Sequence, residues 1–336
     1  MHRSSVRATV RRGLAAAAFG VAFVSPALGA DLKIIVPAAP GGGWDQLGRA
    51  AAQSLQAGKL ADRVQVSNTP GAGGTIGLAQ LINNNKGDGN ALMVSGKGMV
   101  SAIFIQKSPL TLSNATPIAR LTGEYEVLVV GPNSPLKTMA DLVAAYKANP
   151  GAVSWAGGLV GGVDQLTAGM IIQAIGGDVS KLNYVAFGSG GEVLSQALGG
   201  HVTVGMGGYQ EFAAQITGGK LRALGITSDK RVPGIDVPTL KEQGINVEFI
   251  NWRGLMGAPG ISEAQRQALV TMTSQMVKTD QWKATVAKNG WVDLYMGGDD
   301  FKNYIESEQK SVLSLVNTLG LVKKGPRVLQ SIPANS

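Results

Sequence analysis

Apolar and polar positions alternate between two periods along this chain, with glycine at most of the changes. Residues 32–36, Leu-Lys-Ile-Ile-Val, form a run apolar enough for a buried strand. The run breaks at Pro-Ala-Ala-Pro-Gly-Gly-Gly-Trp-Asp, and Leu47, Ala50, Ala51 and Leu55 then recur at helical spacing. The succession repeats with a strand over 63–67, a Gly-rich turn over 68–75 and a helix over 76–81. A turn at 87–90 leads to a strand over 91–95 that ends in Gly96-Lys97-Gly98. A longer strand lies within 121–130 and stops before Pro132 and Pro135. Thr138 caps a helix to residue 148, with Asp141 in its first turn. The strand–glycine loop–helix pattern returns at 153–155, 157–162 and a helix from about Asp164, and again at 183–187, 188–191 and 192–198.

Strands over 202–205 and 221–226 and a helix over 211–216 follow, then a short helix near 239–243 and a second long strand over 247–257. Residues 262–278, 281–289, 291–296 and 299–319 read as an α-rich tail. Strands separated by helices through short loops predict an α/β protein with parallel sheets. The two long strands are read as crossings between two domains. The expected partition is a leader over 1–30, a first domain over 31–125 completed by a helical part over 251–323, a second domain over 126–250, and a loose basic tail over 324–336. Two α/β domains joined by two crossings leave a cleft where strand ends and helix N-termini meet, and open α/β sheets bind ligands there.

The first thirty residues have a separate purpose. Arg3, Arg7, Arg11 and Arg12 precede a short apolar run over 14–24 and the small residues Ala27-Leu28-Gly29, the pattern of a secretory leader. The run is too short to span about 30 Å of hydrocarbon. The mature chain is expected to begin near Ala30 or Asp31 and to act outside the cytoplasm. The chain has no cysteine, which removes disulfides, thiolate metal sites and cysteine nucleophiles and suits an oxidising compartment. Its 30 basic and 22 acidic residues give +8; without the four leader arginines the balance is 26 against 22, or +4. That field favours anions modestly and is no nucleic-acid footprint. Because His2 falls in the leader, His201 is the one histidine of the mature chain, with no triad around it.

Four glycine loops are candidate anion cradles: Gly41–Trp44, Gly71–Gly74, Gly158–Gly162 and Gly188–Gly191. Glycine lets backbone approach a ligand, and the first N–H groups of the following helix lack internal partners. Neither a Rossmann fingerprint nor a P-loop fits these loops. They are nearly uncharged, which suits a carboxylate better than a phosphate. Trp44 is a ligand wall or packs over the sheet. Asp45 complements the helix dipole, or orients loop amides. Lys97 is read as an exposed lysine, Gln165 as a possible donor to a carboxylate, Tyr209 as facing the cleft, and Trp252-Arg253 as hinge packing. Glu124 and Glu126 share one strand face, but no matched acid–base chemistry supports an enzyme. Gly188-Ser189-Gly190 lacks a histidine partner.

Ile-Ile-Val-Pro followed by Pro-Gly-Gly-Gly-Trp-Asp, Pro-Gly-Ala-Gly-Gly-Thr-Ile-Gly, Thr-Pro-Ile-Ala-Arg-Leu-Thr-Gly-Glu-Tyr-Glu, Phe-Gly-Ser-Gly-Gly-Glu and Asn-Trp-Arg-Gly resemble, in that order, the Bug-type substrate-binding proteins of tripartite tricarboxylate transporters. The resemblance spans about 31–321, and Gly-Gly-Gly-Trp-Asp is closer to the tricarboxylate-binding branch. It implies a type II periplasmic-binding-protein (Venus flytrap) fold and a periplasmic receptor, not an enzyme, with neither cofactor nor metal. The implied receptor is a monomer that hands a small carboxylate, citrate-like by preference, to membrane permease subunits. A dicarboxylate, an aromatic acid or an amino acid is the alternative cargo, and a secreted α/β hydrolase the alternative class. Family roles carry over to Ala39, Gly41, Gly42, Gly43, Trp44 and Asp45, to Gly158, Val160, Gly161, Gly162 and Gln165, and to Gly188, Ser189 and Gly190. Gln165 stands where many relatives carry a histidine.

Overall fold

The computed structural model describes residues 31–322. The leader over 1–30 and the tail over 324–336 lie outside the described residues. Strand β1 (Asp31–Val36) leads through the first glycine loop into α1 (Gly43–Ala57), then β2 (Arg63–Asn68), α2 (Thr75–Asn84), β3 (Ala91–Gly96) and α3 (Lys97–Ile105). The long β4 (Thr116–Val130) carries the chain into α4 (Met139–Ala148), β5 (Ser154–Gly157), α5 (Val163–Ala174), β6 (Asn183–Ala186) and α6 (Gly190–Leu198). There follow β7 (Val204–Gly208), α7 (Tyr209–Thr217), β8 (Arg222–Ile226) and the returning β9 (Ile250–Gly257). The chain closes with α8 (Glu263–Met276), α9 (Asp280–Lys288), β10 (Val292–Gly297) and α10 (Gly298–Thr318).

The strands lie in the order β2-β1-β3-β9-β4-β7-β5-β6, with β10 and β8 also on β4. β4 serves both lobes. Thr116–Tyr125 pairs with β9 and Ala119–Gly123 with β10, whereas Glu126–Val129 pairs with β7 and Val127–Val130 with β8. The parallel pairs expected from the alternation are present as β1–β2, β1–β3, β5–β6 and β5–β7. The two crossing strands add antiparallel pairs to these: every pair made by β4 or β9 is antiparallel. β9 runs back beside β4, and such a return reverses strand direction.

Two expectations are corrected. Residues 97–105 form α3, packed through Met99, Val100 and Ile103, although no helix is predicted there. Residues 292–297 form β10, an edge strand on β4 with an irregular register, within the segment read as helical. The short helix near 239–243 is a single 3-10 turn over Lys241–Gln243. Thr138 and Asp141 cap α4 reciprocally as the sequence suggests, and Ser262 and Gln265 cap α8 in the same way.

Strand period decides which core each side chain joins. Ile34 and Val36 of β1 pack with Leu47 and Leu55 of α1 on one face, and Ile35 packs with Met93, Trp252 and Phe301 on the other. In the second lobe Leu128 and Val130 of β4 face Trp155 and Tyr146, while Val127 and Val129 face Phe212 and Val193. The C-terminal α10 is locked below the first sheet. Glu308 accepts from the Trp252 indole Nε1 at 2.9 Å and pairs with Lys97 at 2.8 Å. Lys97 is therefore not the exposed lysine expected. Its side chain is largely buried, with Nζ 4.5 Å from the Phe249 ring centre.

Candidate functional site

All four glycine loops meet one cleft of about 860 Å3; Pro70–Gly74 flanks it, and Gly41–Trp44, Gly158–Gly162 and Gly188–Gly191, the first, second and third loops, each open a helix on it. Ala39, Gly41, Gly42, Gly43 and Trp44 line it from the first lobe. Gly158, Val160, Gly161, Gly162, Gly188 and Ser189 line it from the second. Asp45, Gln165, Gly190 and Tyr209 do not line it. Gly190 abuts the Glu211 carboxyl, and Tyr209 packs against the second lobe's core beside Val127 and Phe212.

Asp45 and Gln165 act one layer behind the cleft. Asp45 accepts the Gly41 N–H at 2.9 Å, the Arg49 Nε at 2.8 Å and the Asn68 amide at 2.9 Å. The hydrogen bond from Arg49 is the main force lowering its carboxyl to about 2, with Gly41 and Asn68 assisting against the cost of burial. Gln165 repeats this brace, its Oε1 accepting the Gly161 N–H at 2.6 Å. Gln165 is thus an acceptor for the loop, whereas the sequence suggests a donor to ligand. In the third loop Glu192 accepts the Gly188 N–H at 3.1 Å. Each brace spans four residues, the distance a side chain in the first helical turn reaches back.

The first two loops are one device built twice. Gly41 and Gly161 have φ of 88° and 78°, a region that glycine alone enters without penalty. Gly42 and Gly162 then start α1 and α5 with nearly equal angles, −76°, 170° and −72°, 178°. Neither helix has a side-chain cap, so first-turn N–H groups face the cleft. Gly-Gly-x-Asp-Gln-Leu occurs at 42–47 and at 161–166. The structural repeat is displaced from it by one residue, so a neutral Gln165 does in the second loop what the anionic Asp45 does in the first.

Asp164, one residue earlier, turns to a different task. It lines the cleft and accepts the Gly158 N–H at 2.5 Å. Behind it stands Glu126 of β4, wholly buried, with neither carboxyl oxygen given a donor by another residue. Burial first, and then the Asp164 charge, push Glu126 well above the usual carboxyl range. Glu211 on α7 is pushed up to about 7, by burial first and by Asp164 and Glu124 next. Glu124, Glu126, Asp164 and Glu211 thus form an acid cluster behind the second lobe's loops. Among the described residues its one cation is Arg253, whose Nη2 donates to Glu124 at 2.7 Å.

Arg253 and Asp164 are the charged residues lining the cleft. Sequence reasoning assigns neither to it: Arg253 is read as hinge packing, and Asp164 only as a helix start. Trp44 fulfils both of its readings, lining the cleft while its ring packs over Gly74. Leu159 and Val160 stand 64% and 70% exposed at the second lobe's rim, so the walls are mainly apolar.

The second loop is also tied to the first lobe. Ser101 of α3, fully buried, donates from Oγ to the Gly161 carbonyl at 2.5 Å, and Leu166 of α5 sits in the first lobe's core. Ser101→Ala is expected to leave that carbonyl without its donor and cost about 1–2 kcal/mol in urea denaturation. An unchanged midpoint would show that the bond contributes nothing. Among the described residues no helix is long and apolar enough to cross a membrane, and no cluster of His, Cys, Asp and Glu could hold a metal ion.

Comparison with known proteins places this architecture. The model of the family described as "Tripartite tricarboxylate transporter family receptor" matches residues 47–321. A "UPF0065 protein in gbd 5'region" from Cupriavidus necator is 28% identical over 323 residues, covering 93% of this chain and 97% of that one. The crystal structure of a TctC solute binding protein from Polaromonas, without ligand, superposes with a TM-score of 0.72 at 27% identity, covering 85% of this chain and 98% of that one. Two Rhodopseudomonas palustris proteins share the fold at lower identity. Rpa4515 with adipate has a TM-score of 0.75 at 19% identity, covering 86% and 97% of the two chains. MatC with bound malate has 0.67 at 21%, covering 87% and 99%.

Proposed function

The chain belongs to the tripartite tricarboxylate transporter receptor family, and from that membership we propose that its cleft holds a small polycarboxylate and presents it to the membrane permease of such a transporter. The family consists of periplasmic transport receptors, not enzymes. The observation that carries the reading is the matched pair of uncapped helix N-termini, α1 at Gly42 and α5 at Gly162, opening on the same cleft. Each offers oriented N–H donors and the positive end of a helix dipole, which suit a carboxylate oxygen. Asp45 and Gln165 hold the loops open in that geometry beforehand, which lowers the ordering cost of binding. Ser189, whose hydroxyl caps α6, adds a third donor from the second lobe.

Within the class, the cleft's charge favours a dicarboxylate. One guanidinium and two helix N-termini match two charged ends, and Leu159, Val160 and Trp44 suit a hydrocarbon middle. The R. palustris neighbours carry malate and adipate, both dicarboxylates. A citrate-like tricarboxylate is the second reading, favoured by the family's description. The ligand draws the lobes together to the extent that it binds the closed form better, and the permease reads that form. Residues 1–30 direct the chain to the periplasm, where it works as a monomer.

Thermal unfolding of the mature chain against mono-, di- and tricarboxylates, aromatic acids and amino acids tests this. A ligand at about 100 times its Kd stabilises by roughly 2.7 kcal/mol. A selective rise with dicarboxylates is expected. A rise only with aromatic acids or amino acids would change the cargo, and no rise with any carboxylate would overturn the reading.

A further inference from the structure

Arg253 sits on β9, outside all the glycine loops, yet it lines the cleft and is only 7% exposed. Its guanidinium lies flat against Gly43. A Cβ added there would fall 2.5 Å from Nη2, 2.7 Å from Cζ and 3.1 Å from Nη1. Nη2 is used by Glu124, but Nη1 is shut off from solvent and has no hydrogen-bond partner among the described residues. A buried guanidinium normally satisfies its whole donor fork, and an unpaired buried donor is costly. This donor lies beside Gly43 of the cradle, and among the described residues no other cation lines the cleft.

We propose that Arg253 is the specificity-determining cation of the cleft: its free Nη1 takes the second carboxylate of the ligand, while the loop amides at α1 and α5 take the first. This rests on the polycarboxylate reading above and adds to it the residue that counts charges. A planar fork with one edge committed to Glu124 still offers the other to a second carboxylate. The arrangement also accounts for Gly43. The cradle carries no side chain there, so the guanidinium packs against the loop at its cleft edge. Glu124 sets the strength of the anchor, because a carboxylate already on Nη2 offsets part of the positive charge.

Calorimetric titration of the wild type, Arg253→Gln and Arg253→Lys with butyrate, glutarate and tricarballylate tests the assignment. These ligands share one propane skeleton carrying one, two and three carboxylates. The wild type is expected to bind glutarate and tricarballylate more tightly than butyrate. Arg253→Gln is expected to lose about 10- to 100-fold on those two and less than about threefold on butyrate, since hydrogen bonds to charged groups have that strength. Arg253→Lys should recover part of the loss, keeping the charge without the fork. Equal losses on all three ligands, or none, would overturn the assignment while leaving the carboxylate reading intact; binding of none by the wild type would overturn both. If Arg253→Gln does not fold, Glu124→Gln decides. Relieved of its counter-charge, Arg253 should raise the preference for glutarate over butyrate about 3- to 10-fold, and an unchanged or lowered preference would overturn the assignment.

Discussion

Gly43→Ala is expected to weaken carboxylate binding by about 100-fold or more, equivalent to about 2.7 kcal/mol. The new methyl would stand 2.5 Å from Nη2 of Arg253, well inside contact distance. Two responses are open. The loop can lift away, which carries the first-turn N–H groups of α1 out of the cleft. Otherwise the guanidinium can withdraw and break its buried pair with Glu124, a class of loss that costs about 3–5 kcal/mol. Either removes an element on which the proposed recognition depends. Gly42→Ala is the matched control. Its Cβ would have nothing closer than the Ala39 carbonyl at 3.8 Å, and its backbone angles suit any residue. Gly42→Ala should therefore keep the wild-type melting temperature, while Gly43→Ala melts lower and binds weakly. Binding by Gly43→Ala within threefold of wild type would show that the guanidinium and the cradle are not coupled.

The second large effect concerns pH. Glu211 is held at about 7 in the folded chain, against about 4.3 for a free glutamate. Below about pH 4 both states carry the proton and the site contributes no difference. Between about 4 and 7 the folded state binds a proton that the unfolded state has released, so stability falls as pH rises through that window. Glu211 is itself exposed, so solvent screens its carboxyl and the full loss is discounted to about 1 kcal/mol, complete above pH 7. Glu126, raised mainly by its burial, adds in the same direction. The groups facing this pair are Glu124 on the same strand, Asp164 on α5, Tyr184 on β6 and Arg253 on β9; burial and the carboxylates raise it, while Arg253 and the Gly208 N–H lower Glu211. Glu211→Gln removes the titration and keeps the shape. Urea denaturation should find the variant about 1 kcal/mol more stable than wild type at pH 8, with the difference narrowing towards pH 5. Parallel pH profiles for the two proteins would show that Glu211 is ionised throughout.

Most of the site's scaffold was legible because glycine and apolar runs mark it locally. The turns into α1, α5 and α6 each lie within a few residues of the strand that precedes them, so period and punctuation suffice. α3 was not legible: it begins at Lys97 without a side-chain cap, and Gly98, Val100, Ile103 and Ile105 are poor helix formers held by packing against Trp252 and α10. β10 was missed because an edge strand of six residues with mixed exposure has little signal beside strong helices. The direction of β9 within the sheet was not legible, because local pattern does not record strand direction. Arg253 and Gly43 are far apart in the chain and meet only because β9 inserts between β3 and β4. The exchanged duties of Asp45 and Gln165 illustrate a finer limit. Equal motifs at 42–47 and 161–166 invite equal roles, yet a one-residue displacement in the helix start gives the brace to aspartate in one loop and to glutamine in the other.

β4 passes from the first sheet to the second as fifteen unbroken residues, paired to β9 as far as Tyr125 and to β7 from Glu126 onward. No loop interrupts it to act as a pivot. Any narrowing of the cleft must therefore be taken up by winding or unwinding the ribbon at that junction, which makes β4 a torsion bar in place of a door hinge. Such an element resists in proportion to the angle through which it is turned and returns when the load is released. The carboxyl of Glu126 and the pair between Glu124 and Arg253 are mounted at that junction.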